Sequence, residues 1–251
     1  MKLPKSYDII GDILIFEIKD KLTNKEEKQV ANELLKLNSN IKVVAKRADI
    51  YKGKYRTRNI KILAGENRTE TIHRENGVNI KLDVKKCYFS PRLSQERLRI
   101  AKLVKKNEDI LVMFSGLAPY NLVISKHSKA KSVYGIEINP IAHKYALENV
   151  RINRFSNIHL FKGDVSKEIK KLRKKFDRII MPLPKESKSY INLALMYLKK
   201  NGTIHLYLFS DEKSFNILKR EYSKKFSVKL TKCGAYAPRI YRICLDLKRK
   251  I

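Results

Sequence analysis

The sequence predicts an α/β fold, an open doubly wound sheet preceded by a small α+β module. Three observations carry this expectation. The stretch DILVMFSGLAPYNLVISKHSKAKSVYGIEIN (residues 109–139) reads as strand, turn, helix and strand. Apolar runs too short for helices then alternate with helix-length segments to the end of the chain, the pattern of a parallel sheet with crossover helices. The first 75 residues read differently, as short strands around one amphipathic helix.

Within the central stretch, Ile110–Phe114 is a brief apolar run bounded by Ser115-Gly116 and reads as a buried strand. Ala118–His127 has helical spacing, and Pro119 is tolerated in its first turn because the donor that proline lacks is not needed there. Val133–Ile138 is a second strand carrying Glu137 near its end. In doubly wound sheets ligands bind at such strand ends, where a carboxylate accepts hydrogen bonds from ribose hydroxyls. The loop lacks the G-x-G-x-x-G glycines that bring backbone close to a pyrophosphate. S-adenosylmethionine has a ribose and no pyrophosphate, so the unit points to a methyltransferase rather than a dehydrogenase. By itself it fits a purely structural βαβ unit as well.

From the start of the chain, Ser6–Ile18 alternates as two strands with a turn at Gly11-Asp12. Thr23-Asn24-Lys25-Glu26 is a capping-box pattern opening a helix through Leu37, with Val30, Leu34 and Leu37 on one face. Val43–Ala45, Asn59–Ala64, Glu70–Arg74 and Val78–Val84 read as strands. Two domains are expected, residues 1–75 and 76–251, with no repeat or low-complexity linker between them. Pro91 breaks the strand pattern, and Ser94 is a plausible N-cap for a helix to about Val104.

After the central unit, Asn139 caps a helix with Pro140 at its first position, running to about Ile152. Ile158–Lys162 is a strand followed by Gly163-Asp164, and Phe176–Met181 is a strand ending in Pro182-Leu183-Pro184. Tyr190–Leu198 is helical, Gly202–Phe209 a strand and Glu212–Tyr222 a helix. Ser227–Thr231 and Tyr241–Leu247 complete seven strands.

The formal net charge is +31, with 17 basic and 11 acidic residues in the first 75, so +25 lies in residues 76–251. KEIKKLRKK (167–175) and KREYSKK (219–225) are basic flanks suited to phosphates. RNA is the natural partner, although lysine-rich surfaces also arise from genome bias or adaptation to heat. No apolar stretch is long enough to span a bilayer and Met1–Ile10 has no signal-peptide core, so a cytoplasmic protein is expected. Cys87, Cys233 and Cys244 lie far apart without a C-x-x-C pair, which suits a reducing compartment and predicts no metal site.

LPKSYDIIGDILIFEI, KYRTRNIKILAGENRTETIHRENGV and YFSPRLSQER, followed in order by MFSGLAPYN, YGIEINPIAHKYALENVRIN and DRIIMPLP, resemble the archaeal–eukaryotic tRNA guanine-37 N1-methyltransferase family nearly end to end. The resemblance implies a class I (Rossmann-like) methyltransferase domain with a seven-stranded open sheet, its last two strands an antiparallel hairpin, behind a small tRNA-facing domain. It implies S-adenosylmethionine as cofactor and the anticodon loop of tRNA, at position 37, as substrate, with the enzyme a monomer. The N-terminal domain that touches the tRNA elbow in longer members is expected to be absent, since Leu3 already begins the second domain. Glu96 matches the proton acceptor and Arg56 the residue that polarises guanine O6. Tyr88 and Arg92 match residues lining both cofactor and base. Phe114, Ser115, Gly116, Glu137, Ile138, Asp164, Val165 and Pro182 fall on the cofactor's motifs, Asp164 where an acid accepts from the adenine amino group. Pro182 and Pro184 fall beside the base.

Two departures stand out. Many members carry Asp where this chain has Val112, and an Asn-Leu-Pro motif where it has Pro182-Leu183-Pro184. Proline offers no side-chain amide to orient guanine. The MPLP form resembles the archaeal subgroup that also methylates C7 of 4-demethylwyosine to give isowyosine. Two alternatives remain at this stage. One is a transferase of the cofactor's aminocarboxypropyl group in wyosine synthesis, against which the retained Arg56 and Glu96 speak. The other is a basic RNA-binding protein with a dead cofactor site.

Overall fold

The computed structural model of the protein describes residues 3–4, 6–17, 22–48 and 59–250. These fall into two compact units, Met1–Pro91 and Arg92–Ile251. In the first, β1 (Tyr7–Ile10), β2 (Ile13–Phe16), β3 (Val43–Arg47) and β4 (Ile60–Gly65) form one sheet in that order. Helix α1 (Asn24–Leu37) is the crossover that makes β2 and β3 parallel. The expected capping box is present: Thr23 N donates to Glu26 Oε2 at 2.7 Å, and Glu26 N donates to Thr23 Oγ1 at 3.3 Å. Val30, Ala31 and Leu34 then pack on Leu14, Phe16, Val44 and Leu63. A separate hairpin, β5 (Glu70–Glu75) and β6 (Val78–Asp83), follows. At the β1–β2 turn Gly11 has φ +59, and a Cβ there would lie 2.1 Å from Thr71 Oγ1, so the turn can approach β5 only as glycine. A division at residue 75 falls at the turn of this hairpin. Its strands pair from Glu70↔Asp83 to Glu75↔Val78, and this ladder keeps β6 with the first unit, which ends at Pro91.

A short 3-10 turn, Pro91–Leu93, begins at the last residue of the first unit and runs straight into α2 (Ser94–Leu103) of the second. Ser94 is therefore the first helical residue, and not the N-cap expected from the sequence; the cap position falls on Leu93, which makes no side-chain cap bond. Then come β7 (Asp109–Met113), α3 (Pro119–His127), β8 (Ser132–Glu137), α4 (Pro140–Ile152), β9 (Ile158–Lys162), α5 (Val165–Lys171) and β10 (Phe176–Met181). A 3-10 turn (Ser187–Tyr190) precedes α6 (Ile191–Tyr197), and β11 (Leu198–Ser210), α7 (Phe215–Ser223), β12 (Phe226–Ala237) and β13 (Ile240–Arg249) complete the chain. The seven strands lie in the order β12-β13-β11-β10-β7-β8-β9, with only the β13 pairings antiparallel. This is the open sheet that the sequence predicts. Residues 110–113 of β7 are fully buried, as expected for a central strand covered on both faces. Val112 is one of them, paired between Gly135 and Ile180.

Candidate active site

From β7 the chain winds outward through β8 and β9, then returns to place β10 on the other side of β7. Such a switch point opens a crevice beyond the carboxyl ends of these strands. The loop after β7 is tightly coiled, with Phe114, Gly116 and Ala118 all at positive φ (58°, 55° and 64°). For Phe114 and Ala118 that conformation is strained, a feature that clusters at ligand sites. Around Gly116 a Cβ would meet nothing within 4 Å, so there is open room against its backbone.

Glu137 ties three loops together. Its Oε2 accepts from Gly116 N and its Oε1 from Asn139 N, both at 2.7 Å. Its backbone carbonyl accepts from Gly163 N at 2.9 Å. The carboxyl is buried, and burial raises its pKa against the opposing pull of the Asn139 and Gly116 amides. A carboxylate has about four lone-pair sites, so beyond these amides and that of Ile138 it keeps acceptor capacity for a diol. Ser115 is buried under this loop, with its N–H donating to Ile136 O at 2.9 Å, and Ile138 follows half-buried. Asn139 caps α4 as expected, accepting from Ile141 N at 3.0 Å.

Asp164 is the N-cap of α5. Its Oδ1 accepts from Ser166 N at 2.9 Å and from Ser166 Oγ at 2.5 Å, and Val165 behind it is buried. Asp164 thus serves as a helix cap at the position where the resemblance implies an adenine ligand. Tyr190, which the sequence reading placed only at a helix start, meets Phe114 edge-on with ring centroids 5.0 Å apart. Its hydroxyl pKa is raised by burial and by the negative charges of Asp164 and Glu186, so it stands beside the Asp164 loop. An aromatic soon after the Pro-Leu-Pro turn was the available signal. That turn is pinned by fully buried Ser187, whose Oγ lies 2.8 Å from Met181 O and 2.9 Å from Leu183 O. Pro182 is half-buried and Pro184 buried.

Glu96 is buried on α2. Tyr207 Oη donates to its Oε1 at 2.5 Å, and Arg99 donates to both oxygens at 2.7 and 2.8 Å. Since Leu206 of β11 registers with Met181 of β10, Tyr207 holds Glu96 level with Pro182, at the carboxyl edge of the sheet. Behind it runs a polar chain. Arg99 also donates to Asp246 Oδ2 at 2.7 Å, and Asp246 Oδ1 lies 2.6 Å from His205 Nδ1. His205 Nε2 lies 2.6 Å from Arg178 Nη1, which can only donate, so the imidazole proton sits on Nδ1 and faces Asp246. Burial and the neighbouring guanidiniums keep this imidazole below its usual pKa. Arg178 ends the chain on Glu108 at 2.8 and 3.0 Å. His205, Cys244 and Asp246 bring ligand-type atoms within 4.8 Å of one another, but Arg99 and Arg178 already engage Asp246 and His205 and would repel a metal ion. The sequence reading missed this chain because its members come from four elements and the loop before β7, and although Glu96 and Arg178 sit in motifs, Arg99, Glu108, His205, Tyr207 and Asp246 do not.

Of the other expected site residues, Tyr88 is half-buried in the first unit, Arg92 is exposed at the start of the second, and Arg56 lies outside the described residues. Open room at Gly116, a carboxylate with acceptor capacity and an aromatic wall of Phe114 and Tyr190 fit a nucleoside that carries no pyrophosphate. S-adenosylmethionine is such a molecule.

Comparison with known proteins agrees with this geometry. Residues 1–69 match the TYW2 N-terminal domain and residues 71–233 the TRM5/TYW2 methyltransferase domain. The chain is 40% identical to the tRNA (guanine(37)-N(1))-methyltransferase Trm5b of Pyrococcus abyssi, over 98% of this chain and 75% of that protein. It is 35% identical to the tRNA (guanine(37)-N(1))/4-demethylwyosine(37)-methyltransferase Taw22 of Nanoarchaeum equitans, over 83% of this chain and 85% of that one. The solved complex of aTrm5 and tRNALeu superposes with a TM-score of 0.87 at 35% identity, covering 99% of this chain and 73% of the other. The family model that matches most of the chain shows that this protein belongs to the TRM5/TYW2 methyltransferase family.

Proposed function

We propose that this protein is a tRNA methyltransferase acting on N1 of guanine-37 in the anticodon loop, with the first unit facing the tRNA and the second performing the transfer. The observation that carries the reading is Glu96, a carboxylate held by Arg99 and Tyr207 at the same sheet edge as the Glu137 junction. Its family uses S-adenosylmethionine. When bound, that cofactor supplies a methyl group made electrophilic by a sulfonium. Glu137 would hold its ribose, Asp164 its adenine, and Phe114, Tyr190, Ser115, Gly116, Ile138 and Val165 would shape the slot. Glu96 takes the N1 proton, leaving the ring nitrogen's pair free to accept the methyl, and Arg56 is the cation that would stabilise the charge developing on O6. Tyr88 and Arg92 would hold the splayed base, since a nucleobase must leave its stack to be reached.

Pro182 supports a second substrate. Without a side-chain amide at this position the pocket sets fewer hydrogen-bond demands on the base, which leaves room for C7 methylation of 4-demethylwyosine; the relative Taw22 bears both activities in its name. Incubation with labelled cofactor and tRNA bearing either guanine or 4-demethylwyosine at position 37, followed by nucleoside analysis, tests both. N1-methylguanosine and isowyosine are expected. An aminocarboxypropylated base with unmethylated G37 would overturn the reading in favour of transfer of the cofactor's other group.

A further inference from the structure

The β12–β13 hairpin grows from the carboxyl edge of β11, with Phe209↔Arg242 and Ser210↔Tyr241 as the last paired residues there. That is the edge to which the target base must be delivered. Two irregularities break the hairpin's ladder within six residues, between Lys232 and Gly234 and between Ala235 and Ala237, leaving Cys233 and Tyr236 off register. Such bulges re-aim a side chain. Gly234 stands opposite Arg242 with no side chain, and a Cβ there would meet nothing within 4 Å. The bulged Tyr236 reaches across this gap and stacks on Phe209 of β11, two strands away, with ring centroids 3.9 Å apart and planes 29° from parallel. The Arg242 guanidinium lies 5.4 Å over the same Phe209 ring. Tyr236 is still 55% exposed, and Arg239 beside it is exposed at the hairpin tip.

We propose that this aromatic–cation stack is a platform for an unpaired base of the tRNA anticodon loop, next to the base being methylated. The inference rests on the tRNA reading above. An aromatic stack on a cationic surface is the arrangement that binds single-stranded nucleic acid with little sequence preference, and the +31 charge of the chain supplies the attraction for phosphate. Bases flanking a target in a loop are unpaired and offer faces to stack. The rings are supported from beneath, so Tyr236 pays little ordering cost when a base lands on it.

The test is the affinity of Tyr236→Ala and Tyr236→Phe for an anticodon stem-loop RNA and for a fully paired duplex of equal length, alongside equilibrium binding of S-adenosylmethionine. Tyr236→Ala is expected to weaken stem-loop binding about tenfold, the scale of one lost stack, with duplex and cofactor binding unchanged. Tyr236→Phe, which keeps the ring, should bind as the wild type does. The platform is overturned if Tyr236→Ala binds the stem-loop normally, weakens both RNAs equally, or loses the cofactor as well. A wild-type protein that fails to bind the stem-loop overturns the tRNA reading itself, a result distinct from these.

Discussion

Replacing Glu137 by alanine tests the centre of the site. The substitution removes the acceptor for Gly116 N and for Asn139 N. Asn139 is buried and Gly116 half-buried, so the first amide bears the full penalty of an unmet donor and the second is partly met by water. At about 1.5–3 kcal/mol for a bond to a charged group, less the cost of burying the carboxylate, the loss of stability should be about 2–4 kcal/mol. Affinity for S-adenosylmethionine should fall about tenfold in addition, or about 1.4 kcal/mol, for the ribose contact. Glu137→Gln keeps one acceptor oxygen but turns an NH2 toward the other amide, so its stability should fall between the two. Urea denaturation measures the first quantity and isothermal titration calorimetry the second. There is also a pH signature. Burial raises the carboxyl's pKa in the folded protein, so the folded state binds more protons than the unfolded one above the ordinary value of 4.5. The group's contribution to stability therefore declines as pH rises from there through its folded pKa, and in Glu137→Ala that slope disappears. An alanine variant with wild-type stability and wild-type cofactor affinity would refute the assignment.

Three further outcomes are expected. Glu96→Gln should keep cofactor and tRNA binding but slow single-turnover N1 methylation about a hundredfold, the scale of a lost general base; an undiminished rate would remove Glu96 from that role. Pro182→Asn should preserve N1 methylation and depress C7 methylation of 4-demethylwyosine, and equal scaling of both single-turnover rates would show that position 182 does not select the base. Asp246 is pulled two ways: burial raises its pKa, but hydrogen bonds from His205 and Arg99 outweigh this and hold it below its ordinary 3.8. Its stabilising contribution is therefore present above that value and lost as pH falls through the folded pKa, the reverse of Glu137. Asp246→Asn should flatten the acid limb of a urea-denaturation series, and an unchanged limb would show that the chain behind Glu96 carries no such linkage.

What the sequence determined by itself was local or periodic. The turn at Gly11-Asp12, the capping box at Thr23, the buried strand after Glu108 and the cap at Asn139 each depend on residues a few positions apart, and each stands where it was expected. The strand–turn–helix–strand unit also placed Gly116 and Glu137 at the crevice, because strand ends in a doubly wound sheet are ligand positions whatever the rest of the chain does. Motif order supplied Glu96 and Asp164 as candidates. The tertiary structure alone decided what those candidates touch. Glu96 meets Tyr207 across 111 residues and Arg99 meets Asp246 across 147, and no sequence window spans such distances. Ser94 lost its capping role because the Pro91 turn feeds directly into the helix. The last hairpin runs well past the apolar stretches that announced it, since its outer half is largely exposed and held by the backbone ladder rather than by hydrophobic pattern. The place of Tyr236 follows from two bulges in that ladder. A bulge is a mismatch between paired strands, so it exists only once the strands have met.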